Sequence, residues 1–135
     1  MPPWKIRTIE TMRYFSQEFF DELARRLNLD PDWGKKAAGL TTRITLTVMD
    51  RGLSFMVEIA NGRVAARAVK ADDPADFKFE APYEIWGKIA AGQTDFNTAV
   101  ITGKMKFRGS LPKIMGIQPQ MNRLTAVAKE IPADV

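Results

Sequence analysis

WGKIAAGQTDFNTAVITGKMKFRGS, the stretch from Trp86 to Ser110, changes its hydrophobic period twice. Just upstream, Pro82 fits a first helical position, and Ile85, Trp86, Ile89 and Ala90 recur on one side at helical spacing. Gly92 suits the left-handed residue that stops such a helix. Thr94 is placed to cap a second, shorter helix that carries Phe96, Val100 and Ile101 and stops at Gly103. Lys104-Met105-Lys106-Phe107-Arg108 then alternates with period two, which predicts a strand. Gly109-Ser110 turns the chain and caps a helix from Leu111 to about Met115. Gly116 and Pro119 interrupt it, because proline cannot complete an interior helical hydrogen bond. A last helix is expected from about Pro119 to Lys129, with Met121, Leu124, Val127 and Ala128 on its apolar side.

Upstream, the pattern starts with a helix over residues 15–28. Phe15, Phe19, Phe20, Leu23 and Leu27 form its stripe, with Ser16 as a cap. Asp30-Pro31-Asp32 breaks it. Residues 41–49 alternate, with Ile44, Leu46 and Val48 on one face and Arg43, Thr45 and Thr47 on the other, so a half-buried strand is expected. Leu53, Phe55, Val57 and Ile59 mark a second strand. Asn61-Gly62 is a hairpin signal, because both residues tolerate the positive φ of a type I′ turn. A third strand runs from Val64 to Lys70, and Asp76–Glu80 alternates as a fourth. Short connections predict an antiparallel meander. Strands grouped first and helices later indicate an α+β layer arrangement.

The 135 residues suit one domain, here residues 1–135, and the chain contains no cysteine and no histidine. Disulfides, thiol nucleophiles, Cys/His zinc sites and a Ser-His-Asp triad are thereby excluded. The net charge of +4 is mild; it would favour acidic surfaces or anionic ligands only weakly. Met1-Pro2-Pro3-Trp4 opens no secretory signal, and Ala133-Asp134-Val135 is not a peroxisomal address, so a cytosolic protein is expected. Trp4 and Trp33 read as structural anchors. Phe77-Lys78-Phe79 and Lys106-Phe107-Arg108 could suggest base stacking, but strand alternation accounts for both, and no nucleic-acid partner is expected.

The residues from Trp86 to Ser110, with the Asn61-Gly62 hairpin and the strand at Phe77–Phe79 upstream, resemble the sterol carrier protein type 2 (SCP-2) sterol-binding domain. That family often carries Asp or Asn where Ser110 stands here; serine caps a helix equally well. The resemblance implies a five-stranded, mainly antiparallel sheet covered on one side by helices, with an apolar tunnel between the layers. It implies binding of a fatty acid, fatty acyl-CoA, sterol or phospholipid, for transfer or presentation, with no catalysis and no cofactor or metal. An accessory subunit that delivers an acyl-CoA or steroid to a partner enzyme is the alternative. The oligomeric state is left open.

Wall candidates follow from the apolar periodicities. They are Ile85, Trp86 and Ile89; Phe96, Val100 and Ile101; Met105 and Phe107; and Leu111, Ile114, Met115, Met121 and Leu124. Any one of them reads more simply as ordinary core, since a buried side chain needs no function. Met105, Met115 and Met121 suit a wall that adapts to several ligand shapes, since methionine is flexible and polarisable. Lys104, Lys106, Arg108 and Lys113 are candidates for contact with a headgroup or an acidic membrane surface, or else a solvated strand face. Asp95, Glu84 and Tyr83 could serve an enzyme as acid or base, but each reads more simply as a helix-start residue. Gly87, Gly92, Gly103 and Gly109 fit no phosphate-binding fingerprint and read as stops and turns.

Overall fold

Five of the seven residues of Thr42–Val48 are β-branched, which favours extended backbone, and this strand (β2) is the centre of the sheet. The computed structural model of the chain describes residues 12–134; Trp4 lies outside them. Strand β1, Met12–Arg13, precedes helix α1, Gln17–Leu29, and helix α2, Pro31–Lys36. After β2 come β3 (Leu53–Ala60), β4 (Arg63–Ala68) and β5 (Phe77–Ala81). Helices α3 (Tyr83–Ala90) and α4 (Phe96–Ile101) lead to β6, Lys106–Arg108. Helices α5 (Leu111–Gly116) and α6 (Gln118–Lys129) follow, and β7, Ala133–Asp134, pairs in parallel with β1. The α+β class and the five-stranded, mainly antiparallel sheet agree with the expectation.

The order across the sheet is β4-β3-β2-β5-β6. The meander therefore stops after three strands. β5 lies parallel to β2, with Ile44 opposite Phe77 and Val48 opposite Ala81. The edge of β4 is already occupied by side chains of α1. Asn28 exchanges hydrogen bonds with the backbone of Val64, both at 2.8 Å, and Gln17 donates to the carbonyl of Ala66 at 3.0 Å. Covering that edge removes the template for a further strand. Asp76 instead starts β5 beside β2. Its carboxylate accepts from the Thr42 hydroxyl and the Arg43 N–H, and its own N–H donates to the Arg43 carbonyl.

Asn61 and Gly62 have φ of 51° and 85°, as the type I′ turn between β3 and β4 requires. Trp33 anchors this hairpin: it is buried, and its indole N–H donates to the Gly62 carbonyl at 2.8 Å. Ser16 does cap α1, accepting from the Phe19 N–H, but Phe15 stands outside the helix at φ 59°. Asp30 ends α1 and also caps α2, with Pro31 in the first turn, so the expected break is a corner between two helices. Gly87 is no stop; it lies inside α3.

The inner face of the sheet carries Ile44, Leu46, Val48, Phe55, Val57, Phe77 and Phe79, all buried. Helix α1 buries Phe19, Phe20, Leu23 and Leu27. The strand β2 is buried on both faces rather than half-buried. Thr45 is 0% exposed, and the Thr47 and Ser54 hydroxyls bond at 2.7 Å.

Candidate functional site

Two short helices, α4 and α5, stand over the β5–β6 side of the sheet. Asp95, not Thr94, caps α4: its carboxylate accepts from the Thr98 N–H at 2.7 Å. That bond holds the Asp95 carboxyl below its ordinary range. Only Ala99 of α4 is fully buried, and its carbonyl accepts from the N–H groups of Lys104 and Met105. Gly92 and Gly103 flank the helix, both at φ 76°. Helix α5 is capped by Ser110 and buries only Ile114.

Between these helices, above Phe79 and Phe107, lies a cleft of about 450 Å³. Ligand pockets commonly measure ~300–1,000 Å³. Nine of its eleven lining residues are apolar; Asn97 and Gln118 are the two polar ones. Ile101, Leu111 and Met115 line it while 84%, 59% and 70% exposed, so its mouth is apolar and open. Exposed apolar groups gathered in one place are a feature of binding surfaces.

The interior toward α1 is different. Tyr14, Phe15, Phe19, Phe20, Phe55 and Trp86 form a chain of mostly edge-to-face rings, with centroids 4.6–6.0 Å apart. Burial pushes the Tyr14 phenol well above its ordinary pKa, and its O–H donates to the Trp86 carbonyl at 3.1 Å. Within this packing only a narrow void of about 40 Å³ remains.

The predicted wall therefore splits. Phe96, Val100, Ile101, Phe107, Leu111, Ile114, Met115 and Met121 line the cleft. Trp86, Ile89 and Leu124 line the void with the aromatic cluster, as does Phe96. Ile85 and Met105 are buried and line neither. The sequence reading missed Phe79, Asn97 and Gln118. The alternation that placed Phe77 on the apolar face of its strand also pointed to Phe79; no apolar pattern marks an Asn or a Gln.

None of the four candidate basic residues lines the cleft. Arg108 pairs with Glu80 at 3.0 Å, and Lys106 stands opposite Glu80 in the β5–β6 register. Lys113 lines a separate groove with Asp76 and Ser110. The acid–base candidates are not brought together. Glu84 pairs with Lys88 at 3.4 Å, Tyr83 lies 3.6 Å beneath the Arg51 guanidinium, and Asp95 is a cap. Among the described residues, no group of acidic side chains is gathered as for a metal ion, and no helix is long and apolar enough to cross a membrane.

The described residues thus form a layered α+β domain with an open, mostly apolar cleft, the kind of concave surface that suits an apolar ligand. The model of the SCP-2 sterol transfer family matches residues 20–122, and the chain belongs to that family. Its members typically transfer lipids without catalysis, and lipid binding is the general function of this chain. No curated protein sequence matches it. Among solved structures, a crystal structure of sterol carrier protein 2 superposes with a TM-score of 0.78 at 21% identity, over 88% of this chain and 99% of the other. A conserved hypothetical protein of Thermus thermophilus gives 0.75 at 20% identity, over 91% and 92%. Sterol carrier protein 2 of Aedes aegypti, solved with a C16 fatty acid (palmitate), gives 0.54 at 20%, over 87% and 98%.

Proposed function

We propose that this chain carries the acyl chain of a fatty acid or related single-chain lipid in the cleft beneath α4 and α5, in the cytosol, and exchanges it with membranes. The observation that carries this reading is the cleft itself: apolar on nine of eleven sides, large enough for a ligand, and open to the outside. Burying each methylene there is worth about 0.8 kcal/mol. Ile101, Leu111 and Met115 would meet the membrane while the lipid passes. Lys104, Lys106 and Lys113, which make no ion pair among the described residues, would favour an acidic surface. Arg108 would contribute less, since Glu80 neutralises it. The same apolar mouth could dock on an enzyme that consumes the lipid, and a partner recovered by pull-down would favour that alternative.

Solvent extraction of the purified chain with mass spectrometry, and displacement of a fluorescent fatty acid, test the proposal. Recovery of an acyl lipid and competitive displacement are expected; neither lipid nor displacement would overturn it.

A further inference from the structure

Phe96 lines the open cleft, the narrow inner void and a third, more polar groove between α4 and α6. It is the single residue that the cleft and the void have in common. Its ring meets Phe79 at 5.1 Å and Trp86 at 5.7 Å between centroids, both edge to face. Beyond it, on the void side, stand Phe15, Phe20, Leu46, Ile89 and Leu124, so the space behind the ring is also apolar. That space, about 40 Å³, admits a few water-sized spheres at ~10–15 Å³ each and no length of acyl chain. Phe96 is half-buried, on a helix whose one fully buried residue is Ala99, so removing its ring costs its contacts with Phe79 and Trp86 and leaves the buried anchor of the helix in place.

We infer that Phe96 determines the length of acyl chain the protein accepts: the tail lies along the cleft and ends against this ring, and removing the ring joins cleft and void into one longer channel. The inference rests on the acyl-binding reading above. Up to the ring, each added methylene leaves water for an apolar wall, a gain of about fourfold in affinity. Beyond it, an added methylene is turned back toward solvent and gains nothing. In Phe96→Ala, the place of the ring and the void behind it become available to the chain. In Phe96→Trp, the larger indole shortens the cleft.

The test is a homologous series of saturated fatty acids, in steps of two carbons, competing with a fluorescent fatty acid for the full chain. For the unsubstituted protein, affinity should rise with length and then level off. In Phe96→Ala, the levelling point should move to longer acids, with the first acid past the original limit, two methylenes longer, bound about fifteenfold more tightly. In Phe96→Trp, it should move to shorter acids, which keeps the test open should the alanine variant unfold. A levelling point unchanged in the folded variants overturns the role of Phe96 and leaves the carrier reading standing. Failure of the unsubstituted protein to bind any acid in the series overturns both.

Discussion

The indole N–H of Trp86 donates to the backbone carbonyl of Thr47 at 2.9 Å, and to that of Ala81 at 3.1 Å. Trp86 is 1% exposed, so both bonds are made away from water. Its own carbonyl accepts from the Tyr14 hydroxyl. One residue, by its indole and its backbone carbonyl, thus bolts α3 to the central strand and to the segment before α1, and this closes the inner half of the interior. Trp86→Phe keeps most of the apolar volume but removes the indole donor from the Thr47 and Ala81 carbonyls, of which Ala81 still accepts from the Met49 N–H. Loss of about 1–3 kcal/mol is expected, read as a fall of several degrees in Tm. Acyl affinity should change little, because the cleft lies on the other side of Phe96. A large loss of binding at unchanged Tm would contradict this division of the interior.

The pH dependence of stability follows from three carboxyls. The side-chain hydrogen bond from Arg25, helped by Arg26, holds Glu22 at about 2, well below the ordinary glutamate range. Arg123, bidentate to Asp30 at 2.7 and 2.8 Å, lowers that carboxyl, and the Thr98 N–H lowers Asp95. A carboxyl depressed in the folded state stabilises the fold above its unfolded value, roughly 4, and that contribution is lost as pH falls through the folded value. With no histidine in the chain, no side chain of ordinary pKa titrates between pH 5 and 8. Thermal melts should therefore give a flat Tm across that range and a steady decline below about pH 4. A step near pH 6 would contradict the assignment.

Much of this architecture was legible because alternation and helical period are local. Ile44, Leu46 and Val48 share a face in any strand, and Asn61-Gly62 makes its turn from its own φ preferences. The parallel seat of β5 was not legible, since it depends on Asn28 and Gln17 having closed the β4 edge from a distant helix. Nor was the burial of Thr45, which comes from its central place in the sheet. The candidate site was half legible for the same reason. Helical period marks Trp86 and Phe96 alike as apolar-side residues. Only packing against Tyr14 and Phe15, whose backbone turns left-handed where a helix was expected, decides that Trp86 is core.

Leu111 tests the mouth of the cleft. It is more than half exposed, so Leu111→Glu should alter stability by no more than ~0.5 kcal/mol. A carboxylate there would lie against the tail of a bound lipid and repel an acidic membrane. Acyl affinity should fall about tenfold, and transfer to anionic vesicles should fall further. Displacement assays and vesicle-transfer rates check the two effects separately. Unchanged affinity would move the ligand out of this cleft.

The glycines provide the last test, because two of them share a conformation and differ in surroundings. Gly62 and Gly103 have φ of 85° and 76°. Any L side chain in that region costs about 1–2 kcal/mol of backbone strain. At Gly103 a Cβ would meet nothing within 4 Å, so Gly103→Ala should cost only that strain. At Gly62 the Cβ would stand 2.8 Å from the carbonyl oxygen of Ala37, a backbone atom in the segment that follows α2. The hairpin must then shift, and with it the Gly62 carbonyl that accepts from Trp33. Gly62→Ala is expected to be the more damaging by a further ~1 kcal/mol or more, on the order of a strained core substitution. Denaturant melts of the two variants decide it, and equal losses would show that the hairpin yields freely against α2.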